Sequence, residues 1–583
     1  MFRSTSTRVI FSIIAGAFIL ASCDKSEDAA VDASILSSAD SVLQYVPADS
    51  PYVMANVEPL PDDLMDKLEP KLERLLQSYQ ALLREVIGTK RQALPEERRN
   101  SEELQKMNAV IDELMTLLSV DGMREAGIGR DATGALYGNG LLPVVRLQLS
   151  DGALFDSALM RLEEKAGHEL LVAEVDGHTY RYFDARKVRI MIAVIGNQAV
   201  FTVVPASFDE AQIAQAIGVT LPETNIADSG VLQEIAEKYG FTNHYVGFIN
   251  VPAIVEPLIG TATGVNADLL ALGNYSATDL SDVCRAEIRS VAGIVPRIVL
   301  GYTEIGVDRL ESNAVIELRE DIAADLQGLS AAVPGLGGDH GGLMSFGMSM
   351  DVKAARAFFE ARLDALEAEP FECERFAGVQ AGVAGGREAL NQPVPPMFYD
   401  FKGFLAIIDG IEGLNVATKT PPTSVDGSFL LAMDNAHALI SMGAMFSPEV
   451  AALDLQTDGK AVPLDLPQVQ TLGVAAFAAL GENALAISVG EGAESQAESM
   501  LGGAILDSTP ILSFSMDAAR YYSFLGEAMV AGKQDQENAA SAEMQAAMNE
   551  VMQALAAVYD RMSADILLTE RGVEVRSAVT LSE

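Results

Sequence analysis

Short apolar strands that end on Asp, Asn or Glu, each followed by a stretch of helical period, recur along this chain. They are Tyr52–Glu58, Val144–Asp151, Tyr245–Asn250, Met344–Asp351, Phe429–Asp434 and Ile511–Asp517. A terminal Asp or Asn suits a helix N-cap, because its side-chain oxygen accepts the free N–H groups of the first turn. The polar ends therefore predict capping rather than catalysis. Between these units the pattern alternates. Leu170–Val175 and Thr179–Phe183 flank Asp176-Gly177, a pair that favours a type I′ hairpin turn. Val188–Ile195 and Ala199–Val204 predict the next pair of strands, and Ser207 with Glu210 a capping box for the helix that follows. The pattern predicts an α+β fold of strand–helix units and an antiparallel meander sheet with helices packed on one face.

Two stretches carry helical period over greater length. Asp63–Ile87 places Leu64, Leu68, Leu72, Leu75, Leu82 and Val86 on one side, and Pro70 predicts a kink or the true start of that helix. Ser101–Leu118 repeats the pattern with Leu104, Ile111 and Leu114. Together they predict a helical hairpin over residues 61–118. The corresponding Val352–Ala368 predicts a single helix, which leaves the hairpin to one half only. That makes it a candidate surface for a protein partner, with simple packing over the sheet as the alternative.

Longer repeats predict two tandem related halves. Asn197-Gln198-Ala199-Val200-Phe201 and Asn483-Ala484-Leu485-Ala486-Ile487 open similar strands, and Ala211 and Ala497 stand at matching positions in the helices that follow. Thr303-Glu304-Ile305-Gly306-Val307-Asp308 is similar to Thr569-Glu570-Arg571-Gly572-Val573-Glu574. The order of elements is shared, which argues against chance. Gly-rich residues 335–342 read as a linker, giving halves at 40–334 and 343–583.

The N-terminus predicts location. Arg3 and Arg8 precede the apolar run Val9–Leu20, which is too short to span a bilayer comfortably. Leu20-Ala21-Ser22-Cys23 then resembles a bacterial lipobox. The resemblance implies a signal peptide over 1–22, cleavage before Cys23 and acylation (palmitate included) of that cysteine. It also implies a membrane anchor facing the periplasm. Asp24 resembles an inner-membrane retention signal. Residues 23–39 are small, acidic and aperiodic, and read as a flexible tether.

Composition narrows the chemistry. The chain has 583 residues, 49% of them hydrophobic, and a formal charge of −42. Such a charge repels nucleic acid and keeps an apolar chain soluble. With Cys23 assigned to the lipid, Cys284 and Cys373 remain of three cysteines. In an oxidising compartment they suggest one disulfide, or else two buried thiols. The five histidines, His168, His178, His244, His340 and His437, fit no metal-ligand spacing. No nucleophile elbow, Walker loop or dinucleotide fingerprint falls in a fitting context. Asp454–Gly459 lacks the ligands of a calcium loop and reads as a surface turn. Met544, Met548 and Met552 share a helix face that fits a packed core stripe better than a copper(I) site. Aromatics are 6% and there is no Trp, which argues against a carbohydrate platform.

The lipobox, Val46-Pro47-Ala48-Asp49-Ser50-Pro51, Ala135-Leu136-Tyr137-Gly138 and Pro143-Val144-Val145-Arg146-Leu147 together resemble a group of proteobacterial envelope lipoproteins. That group carries no known activity, so the resemblance implies location and architecture only. The function expected is a non-enzymatic scaffold or interaction module without cofactor or metal. The alternative is a periplasmic carrier of lipid or another apolar ligand, because curved sheets backed by helices can enclose apolar cavities.

Overall fold

A computed structural model describes residues 41–583 apart from 93, 100, 276, 414–422, 466–473 and 532–538. The lipobox, Cys23 and Asp24 lie outside the described residues. The fold is mixed α+β, and the chain divides into two compact units. One comprises Met1–Leu280, Arg297–Ser312 and Ala539–Ala554, and the other Ser281–Pro296, Asn313–Asn538 and Leu555–Glu583.

In the first unit β1 (Tyr52–Asn56) lies antiparallel between β2 (Gly134–Asn139) and β8 (Val246–Asn250). The sheet continues from β2 through β3 (Leu142–Gln148), β7 (Gln198–Pro205), β6 (Val188–Ile195) and β5 (His178–Ala185) to β4 (Leu171–Val175). On its other side β8 pairs with β9 (Arg297–Ile305), and β10 (Arg309–Glu317) follows. The Asp176-Gly177 turn has positive φ at both residues, 49° and 79°, as a type I′ turn requires.

Helix α1 (Asp62–Gln92) continues through Pro70, eight residues after its start, so the proline does not begin it. It and α2 (Glu102–Leu117) occupy the segment expected to be a helical hairpin. Leu64, Met65, Leu68 and Leu75 bury the inner face of α1. Helix α2 packs against α3 (Gly152–Ala166), with Glu113 paired to Arg161 at 2.8 Å. Helix α4 (Glu210–Ile217) begins with a capping box made by Asp209 and Gln212, two residues later than Ser207 and Glu210. Asp151 caps α3, and Asn250 caps α5 (Val251–Ile259).

The second unit has a similar strand order, with three outer strands where the first has four. β11 (Met344–Ser349) lies between β12 (Phe401–Glu412) and β17 (Leu512–Asp517). β12 leads through β13 (Ser424–Met433), β16 (Ala484–Val489) and β15 (Ala476–Leu480) to β14 (Ala461–Pro463). β17 leads to β18 (Tyr559–Thr569) and β19 (Gly572–Leu581). Its helices include α6 (Asp282–Ala292), α7 (Val352–Ala368), α8 (Ala377–Asn391), α9 (Ala436–Phe446), α10 (Pro448–Ala452), α11 (Ala493–Leu501) and α12 (Ala518–Ala531). Helix α13 (Ala539–Val558) precedes β18. Helices lie against both faces of the sheet. α9 covers Leu480, Leu485 and Ile487 on one face, while Met500 and Leu501 of α11 reach Leu430 and Ala484 on the other.

Several expectations change here. A helical pair, α7 and α8, follows β11 just as α1 and α2 follow β1, so the hairpin is not confined to one half. The glycines of α8 weakened its helical signal in the sequence. Residues 335–342 do not form an open linker throughout: Leu336 is fully buried with Val333, Leu405 and Leu430 in the second unit's core. On α13 the buried stripe is Ala547, Val551 and Ala554, and Met544, Met548 and Met552 are half-buried beside it.

Candidate functional site

Period-2 alternation in β11 and β17 separates Met344, Phe346, Met348, Leu512 and Phe514 from Ser345, Gly347, Ser349, Ser513 and Ser515. A sheet normally buries the first set and wets the second. Here the polarity is reversed. Ser345, Ser349, Ser513 and Ser515 are at most 2% exposed, while Phe346 is 44% exposed. Register extends the apolar face across β12 and β13, through Phe404, Ala406, Phe429 and Leu431. The rings of Phe346, Phe404 and Phe429 form a row, with centroids 5.8 and 5.9 Å apart, and Phe429 is 40% exposed. The result is a flat aromatic strip in the middle of a sheet, where neighbouring strands fix every ring.

The serine face is buried because small side chains let the chain segment before β11 lie directly on the sheet. A Cβ at Gly347 would stand 2.4 Å from Leu336 Cδ1. The hydroxyls are satisfied in pairs, Ser345 with Ser515 at 2.7 Å and Ser488 donating to Ser428 at 2.8 Å, while Ser349 donates to Pro510 O at 2.8 Å. Ser513 Oγ, Asp565 Oδ1 and His340 Nε2 are buried with no hydrogen-bond partner, although Ser513 and Asp565 face each other across the ladder. Serine, histidine and aspartate thus occur in one region, but no hydrogen bond links them as nucleophile and base. Burial pulls His340 below its ordinary value against the attraction of Asp339 and Asp565.

Where β11 ends and β12 begins, Lys402 Nζ sits between Asp351 (2.7 Å) and Asp434 (3.3 Å). Burial lowers the Lys402 ammonium, but the bonds to both carboxylates outweigh it and hold its pKa above the usual lysine value. Such an ammonium keeps its proton and cannot serve as base or nucleophile. Asp351 caps α7 as its sequence position suggests, and Asp517 accepts the Arg520 amide in the same way. Asp434 does not cap: Asn435 caps α9, which frees Asp434 for Lys402. Glu574 is fully buried. Burial raises its pKa, but Thr569, Arg571 and Arg576 prevail and leave it below the ordinary carboxylate value.

The sulfurs of Cys284 and Cys373 stand at bonding distance, 2.02 Å, with Cα atoms 4.7 Å apart. They join α6 to the turn between α7 and α8. Three residues along α6, Glu287 accepts the backbone amides of Glu372 (2.8 Å) and Cys373 (3.0 Å). Among the described residues no group of three or more His, Cys, Asp or Glu is placed to hold a metal, and no helix is long and apolar enough to cross a membrane. His437 bonds Ser441 within α9 at 3.2 Å, and buried His244 contacts Glu58 O at 3.3 Å. In the first unit, Met65, Leu72, Leu76, Met123 and Ile128 floor a cleft rimmed by Glu69, Arg124 and Arg130.

The fold and this face define an α+β protein with a partly exposed apolar sheet face. Comparison with protein families, with curated proteins and with solved structures finds no match.

Proposed function

We propose that the protein is a non-enzymatic interaction module of the bacterial envelope, lipid-anchored through Cys23, and built from two related tandem halves. Its working surface is the Phe346–Phe404–Phe429 face rather than the 61–118 hairpin. The reversed polarity of the second unit's sheet carries this reading: large exposed apolar patches on soluble proteins mark binding surfaces. The presence of α7–α8 removes the argument that singled out the first hairpin. A second reading, a carrier of lipid or another apolar ligand, draws on the same face, because Met, Leu and Phe side chains suit an acyl chain. Purification from membranes, organic extraction and mass spectrometry test both readings, alongside the Phe346→Ser/Phe429→Ser variant. Near-stoichiometric lipid of one class that falls away in the variant supports the carrier. No lipid, together with photo-crosslinking from position 346 to a defined envelope protein, supports the scaffold. Unchanged lipid in the variant defeats the carrier, and the absence of any crosslink from position 346 defeats the scaffold.

A further inference from the structure

The two most exposed large apolar residues among those described are neighbours, Met445 at 81% and Phe446 at 84%. They stand at the corner where α9 meets α10. The first turns of α9 are fastened to the sheet by Ala436, Leu439 and Ile440, which pack on Leu480, Leu485 and Ile487. The last turn carries its side chains past that core. The corner itself is well built. Ser447 Oγ caps α10 by accepting the Val450 amide, and the Gly443 backbone lies against Val450. These residues are held in place, and no described residue covers them.

We propose that this corner is a wedge that enters a lipid bilayer, with Met445 and Phe446 reaching the acyl region of one leaflet. Two observations select a bilayer over a protein. First, α9 carries no Asp, Glu, Lys or Arg between Ala436 and Phe446, in a chain whose formal charge is −42, and the first carboxylate after it, Glu449, accepts from Ser447 Oγ at 2.7 Å. A surface bound for acidic or zwitterionic lipid must shed the negative charge that covers the rest of the molecule. Second, the feature is a convex tip of two side chains. A stable contact with a second copy or another protein needs about 800 Å² per partner, far more than two side chains present, whereas a tip of this size suits penetration to interfacial depth. The wedge stands apart from the reading above, since it needs neither the acyl anchor nor the aromatic strip.

The test places an environment-sensitive fluorophore at the tip of the full chain through Phe446→Cys, with Cys284 and Cys373 paired. The unsubstituted chain sets the background from Cys23, and Asp458→Cys, on an exposed turn of the same unit, is the control. In phosphatidylcholine vesicles, the 446 probe should shift to the blue. Lipids spin-labelled on the acyl chain should quench it several-fold more than the 458 probe. Equal quenching at 446 and 458 overturns the proposal. A blue shift that appears without vesicles and grows with protein concentration also overturns it, in favour of self-association. Position 446 is exposed, so the substitution leaves the core intact, and an unchanged thermal transition checks this.

Discussion

The two helical pairs occupy the same place in the chain order of their units and are secured in different ways. In the first unit α1 is rich in Leu, Glu, Lys and Arg, strong helix formers, and buries Leu64, Met65, Leu68 and Leu75. Ion pairs such as Lys67 with Asp308 add to this packing. In the second unit α7 has no fully buried residue and α8 has only Val383. Helix α8 also carries Gly378, Gly382, Gly385 and Gly386, each costing roughly 1 kcal/mol of helix propensity relative to Ala. What this pair lacks in packing it receives from outside: the Cys284–Cys373 bond and the Glu287 carboxylate both grip the turn between its helices. A topology can be kept while the means of holding one of its parts changes from burial to a covalent tie.

That contrast can be broken most sharply at the disulfide. Cys284→Ser with Cys373→Ser opens a loop of 89 residues and should cost about 4.6 kcal/mol on the chain-entropy account. Hydrogen exchange should then show α7 and α8 losing protection while α1 and α2 keep theirs. Equal loss in both pairs would contradict the contrast. The converse change, Leu68→Ala, should cost about 3 kcal/mol, with faster exchange in α1 and none in α7. Denaturant titration measures both.

Smaller effects sharpen the picture within the second unit. Glu574→Gln should cost about 2 kcal/mol at neutral pH, because a buried hydrogen-bonded charge is lost. The Glu574 pKa is lowered in the fold, so its contribution is complete above the unfolded carboxyl value of about 4.3 and fades as pH falls through the lower folded value. The stability gap between parent and variant should therefore begin to narrow below about pH 4.3 and close once pH falls below the folded value. Glu287→Gln should cost about 1 kcal/mol, and its exchange signature should match that of the disulfide variant in miniature. Phe346→Ser should cost about 1 kcal/mol, since the ring is 44% exposed and sits 5.8 Å from that of Phe404. A large loss there would mean that the aromatic face belongs to the core.

Much of the frame is legible in the residues. The strand ends at Asp151, Asn250, Asp351 and Asp517 cap helices as their positions suggest, and the meander from Leu171 to Pro205 follows its alternation and its Asp-Gly turn. Asp434 misleads because Asn435, one residue on, competes for the same cap and wins it. Helix α8 is hidden because four glycines erase the helical signal that the disulfide restores. The Met-Ser-Phe-Gly-Met-Ser run of β11 announces two unlike faces, but which face is wet depends on what the chain lays over it. Burial of Leu336 against Gly347 is a long-range fact that local pattern does not contain.

The position of β11 also bears on the order in which the chain acquires structure. Its first neighbour, β12, begins at Phe401, and its second, β17, only at Leu512. In the first unit β1 waits in the same way for β8 at Val246. Contacts this distant in sequence slow folding, because long loops must close before pairing rewards them. Until residue 512 emerges, the strand bearing Phe346 has one open edge, and unpaired edges recruit foreign strands. A molecule built this way depends on being kept from its neighbours while its last third is still arriving.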